Sequence, residues 1–129
     1  MSDLYKEIVV ERTLNQDDFD RFARLSGDNN PIHVDPDFSA TTRFGRTVAH
    51  GLLLNAILRG LVETLVPGGR QVSQSLKFPA PTYADELMRF RAAICCDDGH
   101  SVQASMVSSR VSDDVITCEG STTVQRGEI

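Results

Sequence analysis

The 129-residue chain is poor in the features that several protein classes require. It has no excess of positive charge: 13 Lys and Arg stand against 18 Asp and Glu, for a net charge of -5. A nucleic-acid-binding surface needs a basic face to displace phosphate counterions, so that class is excluded. Aromatic residues make up 6% and are not interleaved with basic ones, which removes single-strand binding by base stacking. No apolar run approaches the length of a membrane span, and the opening MSDLYKEI lacks the apolar core of a signal peptide. A cytoplasmic protein with no membrane partner is expected. Cysteines are few and odd in number, and Cys95, Cys96 and Cys118 lack metal-ligand spacing. Adjacent strand residues face opposite ways, so Cys95 and Cys96 do not chelate one ion together, and all three are expected to be reduced core thiols. Repeats and low-complexity segments are also missing. The length is too short for a cofactor domain beside a substrate domain, so residues 1–129 are read as a single domain.

What is present has an ordinary globular balance, 40% hydrophobic and 24% charged. Residues 5–14 alternate loosely around Ile8, Val9 and Val10, which predicts a strand. Asn15 then offers an N-cap, with Asp17 and Asp18 in the first turn of a short helix. Its apolar face is predicted as Phe19, Phe22, Ala23 and Leu25, and Gly27 as its stop. The stretch LSGDNNPIHVD, residues 25–35, gathers Asp28, Asn29, Asn30, Pro31 and His33 into one turn-rich loop, in which Pro31 is expected to bar helix. Asp35 and Pro36 open a second short helical piece through Thr41, and a loop follows around Gly45. Residues 51–66 are apolar on almost every side and predict a helix buried all round, ended by Pro67, Gly68 and Gly69.

Four further strands are predicted over 72–78, 86–96, 101–111 and 115–124, joined by turns as an antiparallel meander. Both patterns are satisfied by an α+β fold, a curved antiparallel sheet of about five strands wrapped around one long central helix: a hot-dog arrangement. One such layer leaves a sheet edge and part of the helix uncovered, which predicts a dimer.

Ser26-Gly27-Asp28-Asn29-Asn30-Pro31-Ile32-His33, followed by Asp35, Phe38, Ala40, Thr42-Arg43-Phe44-Gly45 and Ala49-His50-Gly51, resembles the hydratase motif of the MaoC-like (R)-specific enoyl-CoA hydratases. Lys77-Phe78, Pro81 and Asp85-Glu86-Leu87 resemble the strand and turn after that family's central helix, so the likeness spans about two thirds of the chain. The resemblance implies hydration of a trans-2-enoyl thioester to the (R)-3-hydroxyacyl thioester, or the reverse dehydration, with no metal and no redox cofactor. It also implies a homodimer, a catalytic pair of Asp28 and His33, and Gly51 as the backbone donor to the thioester oxygen. Asn30 and His50 complete the candidate substrate-binding set, with a packed or capping role as the alternative for His50.

The chemistry suits these residue types. Adding water to C3 needs a group that takes a proton from water, a group that gives one to C2, and a donor for the enolate oxygen. Asp28 and His33 supply the first two around a shared water. The N–H of Gly51, unpaired at a helix start and aligned with the dipole, supplies the third. Asn55, Arg59 and Glu63 form a polar stripe along the helix, read as an Arg59–Glu63 ion pair along a seam or dimer contact, with the edge of an acyl tunnel as the alternative; some family members carry a small hydroxyl residue near the place of Arg59. Arg43, Arg46, Lys77 and Arg89 are the available cations for substrate phosphates, and His100 is read as exposed at a hairpin tip. Two other functions are open: a hot-dog thioesterase, which usually keeps its acid on the helix, where only Glu63 stands, and a non-catalytic acyl-CoA-binding module.

Overall fold

The structure, a computed structural model, describes residues 6–127. Strand β1 (Glu7–Thr13) opens it; Tyr5, the first residue of the predicted strand, lies outside the described residues. Asn15 caps α1 (Gln16–Ser26) reciprocally: its Oδ1 accepts the Asp18 N–H and the Asp18 carboxylate accepts the Asn15 N–H, both at 2.9 Å. Gly27 ends the helix at φ 83°, a left-handed conformation that glycine adopts without Cβ strain. Phe19 and Ala23 are buried, but Leu25 is 85% exposed. Two residues beyond Ala23, Leu25 lies roughly 200° around the helix from it, off the core face.

The expectation that Pro31 bars helix is corrected by α2 (Pro31–Val34), a single turn with Pro31 in its first position. That position has no intrahelical use for an N–H, so proline starts a turn here instead of breaking one. Asp35 then caps α3 (Pro36–Ser39), its Oδ1 accepting the N–H groups of Asp37 and Phe38. The remaining elements are α4 (Gly51–Leu65), β2 (Arg70–Lys77), β3 (Leu87–Asp97), β4 (Ser101–Arg110) and β5 (Ile116–Gln125).

All strand pairs are antiparallel, in the order β1-β3-β4-β5-β2. The meander therefore holds only for β3, β4 and β5; β2 joins the far side of β5 and has no contact with β3 in the ladder. Between β2 and β3 the chain carries Pro79 and Pro81, which have no N–H for a hairpin, and crosses to the other edge, bridging to Val48 through Tyr83. Register shifts in the β2–β5, β3–β4 and β4–β5 ladders help curve the sheet.

Helix α4 lies in that curve. Leu54, Leu58, Leu61 and Val62 are buried in one cluster with Phe90, Ala92, Ala104, Met106 and Val124. The burial on every side that its composition predicted is corrected: Leu52, Ala56, Arg59, Gly60 and Glu63 are exposed, because five strands cover one side only. The Arg59–Glu63 pair does not form; Glu63 Oε2 instead accepts the Gly68 N–H at 2.9 Å, closing the turn after the helix. Only Cys118 is a core thiol. Cys95 and Cys96 are exposed, since the β3 register slips between Ile94 and Cys96 as the strand runs out toward its turn. His100 is exposed, as expected.

Candidate active site

Helix α2 positions His33. Asn30 Oδ1 accepts the Ile32 N–H, the Asn30 carbonyl accepts the His33 N–H, and the Val48 N–H reaches the Ile32 carbonyl at 3.1 Å. The His33 ring is then fixed by Nδ1, 2.8 Å from the Val48 carbonyl. A carbonyl only accepts, so Nδ1 carries the proton and, in the neutral ring, Nε2 keeps a free lone pair. That Nε2 lies 3.9 Å from Asp28 Oδ2. The separation is too long for a direct hydrogen bond and suits a small proton donor held between two acceptors. Asp28 itself is held mainly by its backbone: its N–H donates to Ser26 Oγ at 3.1 Å, while Oδ1 takes the Asn30 N–H at 3.3 Å.

His50 precedes α4 and is buried. Its Nε2–H donates to the Asp28 carbonyl at 3.0 Å, and its ring stacks on His33 with centroids 3.9 Å apart at 23°. Phe22 meets its edge, centroids 4.9 Å apart. Desolvation lowers the His50 pKa below its usual 6.5; the contact with the Asp28 carbonyl works against this, and the charge His33 can carry adds to it. His50 is thus a neutral donor. Ligand-type atoms of Asp28, His33 and His50 lie within 4.8 Å of one another. They do not suit one metal ion. Ring lone pairs lie in the ring planes, and two nearly parallel stacked planes do not converge on a point about 2 Å from both rings.

No side chain caps α4, whose first intrahelical bonds run from Leu53 and Leu54 to the His50 carbonyl. The Gly51 N–H is left without a partner among the described residues, at the positive end of the helix. A Cβ on Gly51 would stand 2.9 Å from Phe78 Cζ, so the ring closes over a position open only to glycine. Asp28, His33, His50 and Gly51 line one pocket of about 640 Å³, with Phe22, Phe44, Leu54, Phe78, Thr82 and Thr117 among its other walls.

Asn30 is outside that lining; its Oδ1 caps α2. Of the four cations, Arg43 is at the pocket rim, over the Phe44 ring. Arg46 pairs with Glu86 and Arg89 with Glu11 and Asp114, while Lys77 is exposed on the β2 edge. Two contributors escaped the sequence reading. Gln16 Nε2 donates to the His33 carbonyl and Gln16 Oε1 accepts from Thr47, tying α1 to α2; Thr82, a residue of the pocket lining, has a buried hydroxyl without a partner among the described residues. Neither carries a local signal: the partners of Gln16 lie 17 and 31 residues away, and the burial of Thr82 is set by the fold.

The fold and the pocket at the start of the central helix define a hot-dog protein. The chain belongs to the MaoC-like domain family, which matches residues 6–117. It is 43% identical over 67 residues to the (R)-specific enoyl-CoA hydratase of Aeromonas caviae, covering 50% of each chain. It is 32% identical over 88 residues to the 3-hydroxybutyryl-CoA dehydratase of Methylorubrum extorquens, covering 67% of this chain and 56% of that one. The chain spans about half the length of the curated relatives it matches. Among solved structures, the A. caviae (R)-hydratase involved in PHA biosynthesis superposes with a TM-score of 0.89 at 25% identity, covering 96% of both chains.

Proposed function

We propose that this pocket hydrates trans-2-enoyl thioesters to (R)-3-hydroxyacyl thioesters, and catalyses the reverse dehydration. The observation that carries the reading is the pair of acceptors, Asp28 Oδ2 and His33 Nε2, 3.9 Å apart in the same pocket as the unpartnered Gly51 N–H. A water donating to both acceptors is oriented for attack. Its oxygen bonds to C3, one of its protons passes to the pair, and a proton from the pair is delivered to C2. The exchange leaves the combined charge of the two groups unchanged. Negative charge grows meanwhile on the thioester oxygen, where the Gly51 N–H and the α4 dipole oppose it. Proton transfer alone balances the reaction, so no metal or redox cofactor is invoked. The hydratase and dehydratase names of the relatives support the same chemistry and the (R) outcome.

The working unit is a homodimer. Edge strand β2 exposes Val72, and α4 exposes Leu52, Ala56 and Gly60 at four-residue spacing, apolar surface that suits packing against a second copy. A reducing, cytoplasmic setting suits three free thiols. Among the described residues no helix is long and apolar enough to cross a membrane. A thioesterase acid on the helix finds no support, because Glu63 closes the turn at the opposite end from the pocket.

Purified protein mixed with crotonyl-CoA tests the reading. Loss of the conjugated enoyl absorbance without free thiol is the expected result. Thiol release would identify a thioesterase instead, and an unchanged spectrum would leave a binding module.

A further inference from the structure

Thr82 lies in the pocket wall, 2% exposed, in the segment that crosses from β2 to β3. Its carbonyl accepts the Ala49 N–H at 2.8 Å, two residues before Gly51, so its backbone is fastened beside the start of α4. Its Oγ1 is buried and has no hydrogen-bond partner among the described residues. Thr117, in the same lining, differs: its Oγ1 lies 2.7 Å from Ser108 Oγ, and that hydroxyl pair is self-sufficient. Burying an unpaired hydroxyl is unfavourable, whereas valine has the same shape and leaves nothing unpaired. A threonine here is therefore disadvantageous to folding unless something that enters the pocket uses its hydroxyl.

We propose that the Thr82 hydroxyl is a second donor to the carbonyl oxygen of the bound acyl thioester, acting beside the Gly51 N–H. This rests on the hydratase reading of the pocket and goes beyond it, since Thr82 belongs to neither the acid–base pair nor the helix start. A rotatable hydroxyl can follow the oxygen as the thioester becomes an enolate, and a hydrogen bond to a charged acceptor is roughly twice as strong as one to a neutral acceptor. The contribution is thus larger in the transition state than in the bound substrate.

Thr82→Val and Thr82→Ser separate the hydroxyl from the shape. Three quantities are read on each: crotonyl-CoA hydration, affinity for the saturated and unreactive butyryl-CoA by calorimetry, and the thermal midpoint. For Thr82→Val we expect kcat/KM to fall about 10- to 100-fold, mostly in kcat, and butyryl-CoA to bind about 3- to 10-fold more weakly, with a midpoint unchanged or raised. Thr82→Ser should recover most of both losses. Wild-type kinetics and affinity in Thr82→Val overturn the proposal, as does a serine variant as impaired as the valine one. Should the wild-type protein hydrate no enoyl thioester, the hydratase reading fails by itself. Butyryl-CoA affinity then decides Thr82, with equal affinities, or no binding at all, counting against it.

Discussion

His50 holds Asp28 by its backbone: Nε2 of the one lies 3.0 Å from the carbonyl oxygen of the other, and the same ring lies flat against His33. One neutral imidazole thereby sets the position of both members of the acceptor pair without using either of their reacting atoms. A displacement of about 1 Å at such a pair costs on the order of a hundredfold in rate. His50→Ala should lower kcat about 10- to 100-fold. His50→Gln, which keeps a donor for the Asp28 carbonyl, should lose less, and equal losses in steady-state assays would remove the positioning role.

The lowered His50 pKa also predicts a pH dependence of stability. Below about 6.5 the unfolded chain takes up a proton at this position that the folded protein resists. The His50 contribution is therefore complete above that pH and is lost as pH falls toward the folded value. Thermal melts between pH 7 and pH 5 should show a shallower acid decline for His50→Gln than for the wild type. Parallel declines would show that His50 ionises freely in the fold.

Asp28→Asn and His33→Ala should each reduce crotonyl-CoA turnover at least about a hundredfold, with the double variant little worse than either. The Asp28 side chain is 53% exposed, so its substitution leaves the melting temperature nearly unchanged. Near-normal rates in one variant would remove that residue from the mechanism.

Gly51→Ala forces its Cβ against the Phe78 ring, whose nearest atoms would stand 2.9 and 3.0 Å away. Phe78 is 46% exposed and its ring can swing aside, so the fold tolerates the change. The ring then moves over the pocket, and kcat/KM falls about tenfold. Gly51→Ala combined with Phe78→Ala should regain part of it; no regain would mean that the new methyl itself obstructs the thioester.

Gly60 faces outward on α4, and a Cβ there meets nothing within 4 Å in the single chain. In a monomer, Gly60→Ala would stabilise the exposed helix by about 0.5–1 kcal/mol. If α4 packs against a second copy through this strip, Gly60→Arg instead splits the dimer. Sedimentation velocity reads the result, and a Gly60→Arg protein of unchanged mass in solution would place the interface elsewhere.

Burial raises the Cys118 pKa to about 11, so its thiolate is scarce at neutral pH. Cys95 and Cys96 are exposed. Ellman's reagent should therefore titrate two thiols in the native protein and the third only after denaturation; three fast thiols would contradict the burial of β5.

The features legible in the chain itself were those made by neighbours in sequence. Asn15 and Asp18 are three apart and cap each other across that spacing, Gly27 and the Pro67-Gly68-Gly69 run end helices by their own backbone preferences, and strand boundaries follow local alternation. The string around Asp28 and His33 was equally visible, because the two lie close in sequence, one just before and one within the short helix α2. What tertiary structure decided was everything set by partners far along the chain: that β2 joins β5 and not β3, and that Leu25 falls off the core. The same holds for the one-sided cover of α4, the hold of His50 on the Asp28 carbonyl, and the unpaired Thr82 hydroxyl in the pocket. Local free energies choose caps and turns within a few residues, whereas burial and pairing are assigned only once the curved sheet has closed over the helix.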